Sequence, residues 1–183
     1  LLNVPLGSWN KEYSLQAIKT HIYYFWDQSI FPFPFQCLFS SGKTVASIVI
    51  AQLVEKGLLN YDEKVSTYWP EFKSNGKQDI TLADVLRHES GLAWLDHTFK
   101  IDDFMVENLK KNKVGQIFEK EPPHFPGTGG ANDVPTNREY HTITRGCILN
   151  EIVRRVDPQN RTIGEIIKQV STYNLHTSNE FIK

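Results

Sequence analysis

The stretch Val45-Ala46-Ser47-Ile48-Val49-Ile50-Ala51-Gln52-Leu53-Val54 constrains this chain more than any other. Its apolar residues fall on nearly every face of a helix, and a helix apolar all round is buried on several sides. The pattern predicts a central helix from about Ser41 to Lys56, with Lys56 suited to the last turn and Gly57 as the C-terminal cap. Just ahead, Cys37 to Phe39 reads as the end of a short buried strand, and Ser40-Ser41-Gly42-Lys43 as the turn into the helix.

The other elements are shorter. Residues 58–72 read as irregular pieces, and Ser74-Asn75-Gly76-Lys77 as a solvated turn. Thr81 reads as the N-cap of a helix to about His88, with Asp84 placed for a near capping box. Asp102 to Lys111 predicts an amphipathic helix, and the Pro- and Gly-rich residues 121–137 a loop. From about Tyr140 to Val156, Ile143, Cys147, Ile148, Ile152 and Val153 recur at helical spacing. Thr162 caps a last helix with Ile163, Ile166, Ile167 and Val170 on one face. Residues 1–36 fit no clear element. Phe31-Pro32-Phe33-Pro34-Phe35 is read as an extended linker, because each proline removes a donor and restrains the residue before it.

Ser-x-x-Lys occurs three times, at Ser8/Lys11, Ser40/Lys43 and Ser74/Lys77. Only Ser40/Lys43 sits between an apolar strand end and an apolar helix. There the free N–H groups and positive end of the helix lower the cost of alkoxide and oxyanion charge. A spacing of three puts lysine and serine on one helical face. Burial would disfavour the lysine's charge, so a neutral amine could accept the serine proton. The plainer alternative is a serine N-cap with a snorkelling lysine.

Five linked segments add to that reading. They are Phe39-Ser40-Ser41-Gly42-Lys43-Thr44, Gln52-Leu53-Val54-Glu55-Lys56-Gly57-Leu58-Leu59, Tyr61-Asp62-Glu63-Lys64-Val65, Tyr68-Trp69-Pro70-Glu71-Phe72 and Ile80-Thr81-Leu82-Ala83-Asp84-Val85-Leu86-Arg87-His88-Glu89-Ser90-Gly91-Leu92. In this unbroken order the chain resembles the β-lactamase-related serine hydrolases: class C β-lactamases, DD-peptidases, family VIII-type esterases and their relatives. Phe125-Pro126-Gly127-Thr128 resembles the family's Pro-Gly loop, and Tyr140-His141-Thr142 lies where the family carries Tyr-x-Asn or a variant.

The resemblance implies an α/β fold of the α+β type, the β-lactamase/transpeptidase-like fold, of which this chain holds mostly the helical part with the nucleophile helix. Residues 1–36 match poorly, and residues 37–183 read as a partial domain lacking the C-terminal sheet portion. The family's third motif, Lys/His-x-Gly on a sheet strand, is expected well beyond residue 183. By the same resemblance Ser40 is the nucleophile, Lys43 the general base and Tyr140 the phenolic partner that relays the proton. Thr142 and His141 are candidate substrate contacts. Thr142 replaces the usual amide, and a hydroxyl cannot give and accept as an amide does. That departure weighs against β-lactam hydrolysis more than against ester cleavage. The implied activity is hydrolysis of a small ester or amide through an acyl-enzyme on Ser40, with no metal or organic cofactor. The alternatives are a non-catalytic scaffold or oligomer-forming relative, or a truncated inactive product.

Charge excludes other classes. Twenty basic residues against twenty-one acidic ones give a net charge of -1, which makes no case for nucleic acid or an anionic membrane surface. No apolar run reaches the ~20 residues needed to span a bilayer. A cytoplasmic setting is favoured, although a chain opening on Leu1 is compatible with an upstream targeting peptide. Cys37 and Cys147 are read as buried thiols, and no Cys/His spacing suits zinc. His88 is expected to be structural, His97 and Asp96 to lie in a loop near the cleft, and Trp69 and Trp94 to pack in the core or at its rim. Asn160-Arg161-Thr162 fits a glycosylation sequon, expected unused.

Overall fold

A computed structural model describes residues 39–125 and 138–169. The sequence expectations for residues 1–36, Cys37, Ser8/Lys11, Pro126-Gly127-Thr128 and Val170 lie outside the described residues. Within them the chain is helical. A 3-10 turn at Phe39–Ser41 leads into α1, Gly42–Glu55, so Phe39 belongs to a helical turn and not to a strand end. Then come α2 (Val65–Tyr68), a kinked 3-10 segment (Pro70–Gly76), α3 (Leu82–Arg87), a 3-10 turn (Ile101–Phe104), α4 (Val106–Lys110), α5 (Lys113–Lys120) and α6 (Thr144–Val156). Residues 163–169 form α7. Among the described residues β-pairing is limited to an isolated antiparallel bridge between Lys64 and Thr81.

The core forms where α1 and α6 pack against each other and against the short helices. Ala46, Val49, Ile50 and Leu53 from α1 meet Cys147, Ile148, Leu149, Ile152 and Val153 from α6, with Trp69, Phe72, Val85 and Phe118 filling the rest. The spacing 46, 49, 50, 53 is a single stripe. This corrects the expectation of a helix buried on several sides, because Ile48 on another face is 53% exposed. Gly57 ends α1 at φ +70, a conformation that costs glycine little. The Leu58 N–H returns to the Leu53 carbonyl at 2.9 Å.

Capping worked out as read. The Thr81 side chain accepts from the Asp84 N–H at 3.1 Å, and the Asp84 carboxylate accepts from the Thr81 N–H at 2.9 Å. Thr162 and Glu165 repeat that reciprocal pair at the start of α7.

Three readings need correcting. The helix expected over 102–111 is broken at Met105, whose ψ of 138 is extended, and α5 follows as a helix the sequence reading did not assign. The helix expected from Tyr140 begins only at Thr144. Lys77, read as solvated, is fully buried. Its Nζ donates to the carbonyls of Glu119, at 3.4 Å, and Glu121, while Asn75 Nδ2 donates to the Lys120 carbonyl at 2.8 Å. A cation at the carbonyl end of α5 complements the helix dipole. Burial nonetheless pushes the Lys77 ammonium down to about 8, with Glu121 and Glu119 opposing.

Replacing Thr81 by alanine removes the side-chain acceptor of the α3 cap. The expected loss is about 1 kcal/mol, read as a lower urea midpoint at unchanged slope. An unchanged midpoint would show that the cap contributes nothing.

Candidate active site

Ser40 is exposed in the turn that opens α1, beside first-turn N–H groups that have no intrahelical acceptor. Tyr140, one hundred residues away in sequence, donates from its phenol to Ser40 Oγ. Lys43 Nζ stands 4.8 Å from the centre of the Tyr140 ring and donates to the Thr142 carbonyl at 2.8 Å. The chain thus brings Ser40, Lys43, Tyr140 and the Thr142 backbone together. The direct side-chain partner of Ser40 here is Tyr140, with Lys43 against the tyrosine.

Tyr140 is held by what surrounds it. The backbone enters through Arg138, whose Nη2 pairs with Glu89 at 2.5 Å. Glu89 is almost fully buried and also pairs with Arg87 Nε at 2.7 Å. Burial pushes the Glu89 carboxyl up, but the hydrogen bonds and charges of the two arginines hold it below its ordinary value. Two bonds then dock the segment on His88: the Glu139 N–H donates to the His88 carbonyl at 3.0 Å, and the His141 N–H donates to His88 Nδ1 at 2.9 Å. His88 sits at φ 67, an uncommon conformation for a residue with a Cβ, and caps the C-terminus of α3. Its ring lies 4.9 Å from the Tyr140 ring.

Exposure alternates along the segment, with Tyr140 out, His141 in and Thr142 out. His141 is fully buried. Its Nδ1 lies 2.6 Å from the Glu139 carbonyl, which can only accept, so Nδ1 carries the proton and Nε2 accepts from Ser90 Oγ at 2.8 Å. The structure therefore places His141 behind Tyr140, with both ring nitrogens engaged inside the chain, and not on the exposed side with Ser40. Thr142 is exposed beside Lys43.

The electrostatics converge on the phenol. Burial pushes Tyr140 up, but its hydrogen bonds with Ser40 and Lys43 and the charges of Lys43 and Arg145 together hold it below the ordinary tyrosine value. His88 is pushed down to about 4, first by burial and then by His141, Arg145, Lys43 and Arg138. Burial likewise pushes His141 down, against the Glu139 carbonyl.

At the rim, Trp94 is half exposed, stacks on His124 with ring centres 3.5 Å apart and donates to Glu139 Oε1 at 3.1 Å. Asp96 and His97 are exposed nearby in sequence, and Trp69 is wholly in the core. Gly91, at φ +70, has no room for a side chain, because an added Cβ would lie 2.3 Å from the Phe125 carbonyl oxygen. Cys147 is a free, buried thiol pushed up to about 12 by burial. Among the described residues there is no cluster of His, Cys, Asp and Glu that could hold a metal ion, and no helix long and apolar enough to cross a membrane.

The sequence reading missed the docking role of His88, the ion pairs of Glu89 and the placement of Arg145. Arg145 had a visible signal: it lies three and four residues before Ile148 and Leu149, on the apolar side of its helix.

Comparison with known proteins gives a consistent picture. The family model described as Beta-lactamase matches residues 36–178. Esterase/beta-lactamase LipL of Mycobacterium tuberculosis is 29% identical over 146 residues, covering 76% of this chain and 30% of that protein. Among solved structures, a family VIII carboxylesterase is 28% identical with a TM-score of 0.58, over 70% of this chain and 32% of its own. A penicillin-binding protein homologue from Caulobacter crescentus is 33% identical with a TM-score of 0.58, over 72% of this chain and 32% of its own. The chain spans about a third of the length of these relatives.

His88 must stay neutral for Nδ1 to accept the His141 N–H. Its folded pKa of about 4 lies below the ordinary 6.5, so the folded state binds this proton less readily than the unfolded chain. The stability it contributes is complete above about 6.5 and is lost as pH falls towards 4. Urea midpoints measured across this window are expected to fall in wild type and to fall less in His88→Gln. Parallel curves would show that His88 protonation is not coupled to folding.

Proposed function

The chain belongs to the Beta-lactamase family, and on that premise we propose that it is a serine hydrolase acting on a small ester or amide through an acyl-enzyme on Ser40. The observation that carries the proposal is the hydrogen bond from Tyr140 to Ser40 Oγ beside Lys43. The fold and the names of its relatives supply the reaction class. The contact within this chain supports the choice of residues.

The chemistry runs as follows. Ser40 Oγ attacks the carbonyl carbon, and its proton passes to the basic group beside it. We assign that group as Tyr140, whose phenol donates to Ser40 Oγ at rest and which, once deprotonated, accepts the serine proton. Lys43 and Arg145 favour the phenolate, so the positive charges around Tyr140 make it a usable base nearer neutrality. Lys43 serves the base role of the resemblance through this phenol, beside which it stands. The oxyanion forms at the N-terminal end of α1, where the Ser40 N–H supplies half of its stabilisation. Collapse of the tetrahedral intermediate breaks the bond to the leaving group, which takes the proton back from Tyr140. Water then attacks the acyl-Ser40 ester and frees the acid. Thr142 offers a hydroxyl at the exposed edge for substrate contact, and His141 supports the segment from behind.

The proposal is tested by covalent labelling of the 183-residue chain with a fluorescent phosphonate and a fluorescent penicillin. Phosphonate labelling of wild type and none of Ser40→Ala is expected, and equal labelling of both would sink the assignment of Ser40. A folded wild type that neither probe labels would instead support a non-catalytic scaffold. Tyr140→Phe removes the proton partner while keeping the ring, and is expected to slow labelling by about 10²- to 10⁴-fold. An unchanged rate would remove Tyr140 from the mechanism.

A further inference from the structure

Arg145 is nearly fully buried, and its polar partners among the described residues are neutral oxygens. Nε donates to the Leu86 carbonyl at 3.2 Å, Nη2 to Ser47 Oγ at 2.8 Å, and Nη1 points to the Lys43 carbonyl at 3.5 Å. Ser47 Oγ itself donates to that Lys43 carbonyl at 2.9 Å. The contrast lies in the same helix, where Arg154 and Arg155 share the Glu151 carboxylate. Burying an uncompensated guanidinium is costly, and proteins ordinarily offset it with a carboxylate. Here the cation is spent on three separate pieces of the site. Lys43 and Ser47 belong to the opening turns of α1, Leu86 precedes His88 by two residues at the end of α3, and Arg145 follows Tyr140 by five.

We propose that Arg145 is a positioning residue for the Ser40–Lys43–Tyr140 site: its guanidinium clamps the nucleophile helix to the α3 terminus that docks the Tyr140 segment, and it brings a buried positive charge to that junction. The proposal rests on the serine-hydrolase reading above. Its two parts are separable. The fork of donors fixes distance, and a lysine could not reproduce it. The charge acts through space, where the low dielectric of a buried site leaves it poorly screened. Around Tyr140 lie Ser40 from the turn ahead of α1, Lys43 from α1 and His88 from the end of α3, with Glu139 and His141 its neighbours in the segment and the charge of Arg145 acting from α6. Of these, Glu139 accepts from Trp94 at the rim, and Glu89 nearby is neutralised by Arg87 and Arg138. Removing Arg145 therefore removes a positive charge that favours the phenolate, and Tyr140 must titrate at higher pH.

The test follows the Tyr140 ring carbon by NMR in protein carrying ¹³Cζ-tyrosine, the resonance assigned by its loss in Tyr140→Phe, alongside the phosphonate labelling rate. Arg145→Gln is expected to move the Tyr140 titration to higher pH and to slow labelling by about a hundred-fold, the scale of a small misplacement of reacting groups. Arg145→Lys is expected to restore the titration midpoint while leaving labelling slow. A folded Arg145→Gln with an unmoved midpoint would overturn the proposal. Should Arg145→Gln not fold, Ser47→Ala tests the clamp alone, since the charge stays and only the tether to Lys43 is cut. With the Arg145–Ser47 and Ser47–Lys43 bonds both lost, it is expected to label about ten-fold more slowly at an unmoved midpoint, and a wild-type rate would overturn the clamp. A wild type that fails to label, yet shows the Arg145-dependent shift of Tyr140, would reject the hydrolase reading and leave the positioning role standing.

Discussion

Everything at this site depends on a short non-helical segment being docked on the end of a helix. His88 closes α3 in a left-handed conformation and turns both its carbonyl and its Nδ1 toward residues 139–141. The Glu139 and His141 N–H groups are both satisfied by His88 outside any helix, and α6 begins only at Thr144. The neutral state of both histidines follows from the same geometry. Each ring has to accept a hydrogen bond at one nitrogen, and burial keeps the second proton away.

From that dock, the chemistry can be read as a division of inside and outside. Successive residues of an extended segment point opposite ways. His141 goes inward to Ser90 and Tyr140 outward to Ser40, so the residue that anchors and the residue proposed to react are neighbours. Arg145 ties α1 to α3, Glu89 ties Arg138 and Arg87, and the α1–α6 core sets the distance between Ser40 and Tyr140. Pre-placed charge near a group that loses or gains a proton can lower a barrier, and the positive charges of Lys43 and Arg145 act on the phenol here.

Much of this was legible in sequence, for physical reasons that differ from element to element. Helix α1 showed itself through its apolar density, although counting apolar residues overstated its burial, because Ile48 has no covering partner among the described residues. The α3 cap was legible because Thr81 and Asp84 act within one turn. Ser40, Lys43 and Tyr140 came from ordered motifs, and the structure brings them together across a hundred residues. What stayed hidden depends on long-range contacts. A lysine in a Ser-Asn-Gly-Lys turn looks solvated until α5 presents its carbonyl end to it. Likewise His141 looks like a group open to substrate until His88 and Ser90 enclose it. The break at Met105 left no mark of glycine or proline in the sequence, and periodicity alone carried the helix through it.

The central claim is the proposal that Ser40 is the nucleophile, because there a helix terminus and a positively flanked phenol coincide among the described residues. The most direct measurement is acid-quenched trapping of the acyl-enzyme from a slow-turnover activated ester, followed by peptide mapping by mass spectrometry. The account predicts a single acyl mass increment on the peptide holding Ser40, lost in Tyr140→Phe at short quench times. An increment on the peptide holding Ser8 or Ser74, or an equal one in Ser40→Ala, would contradict it.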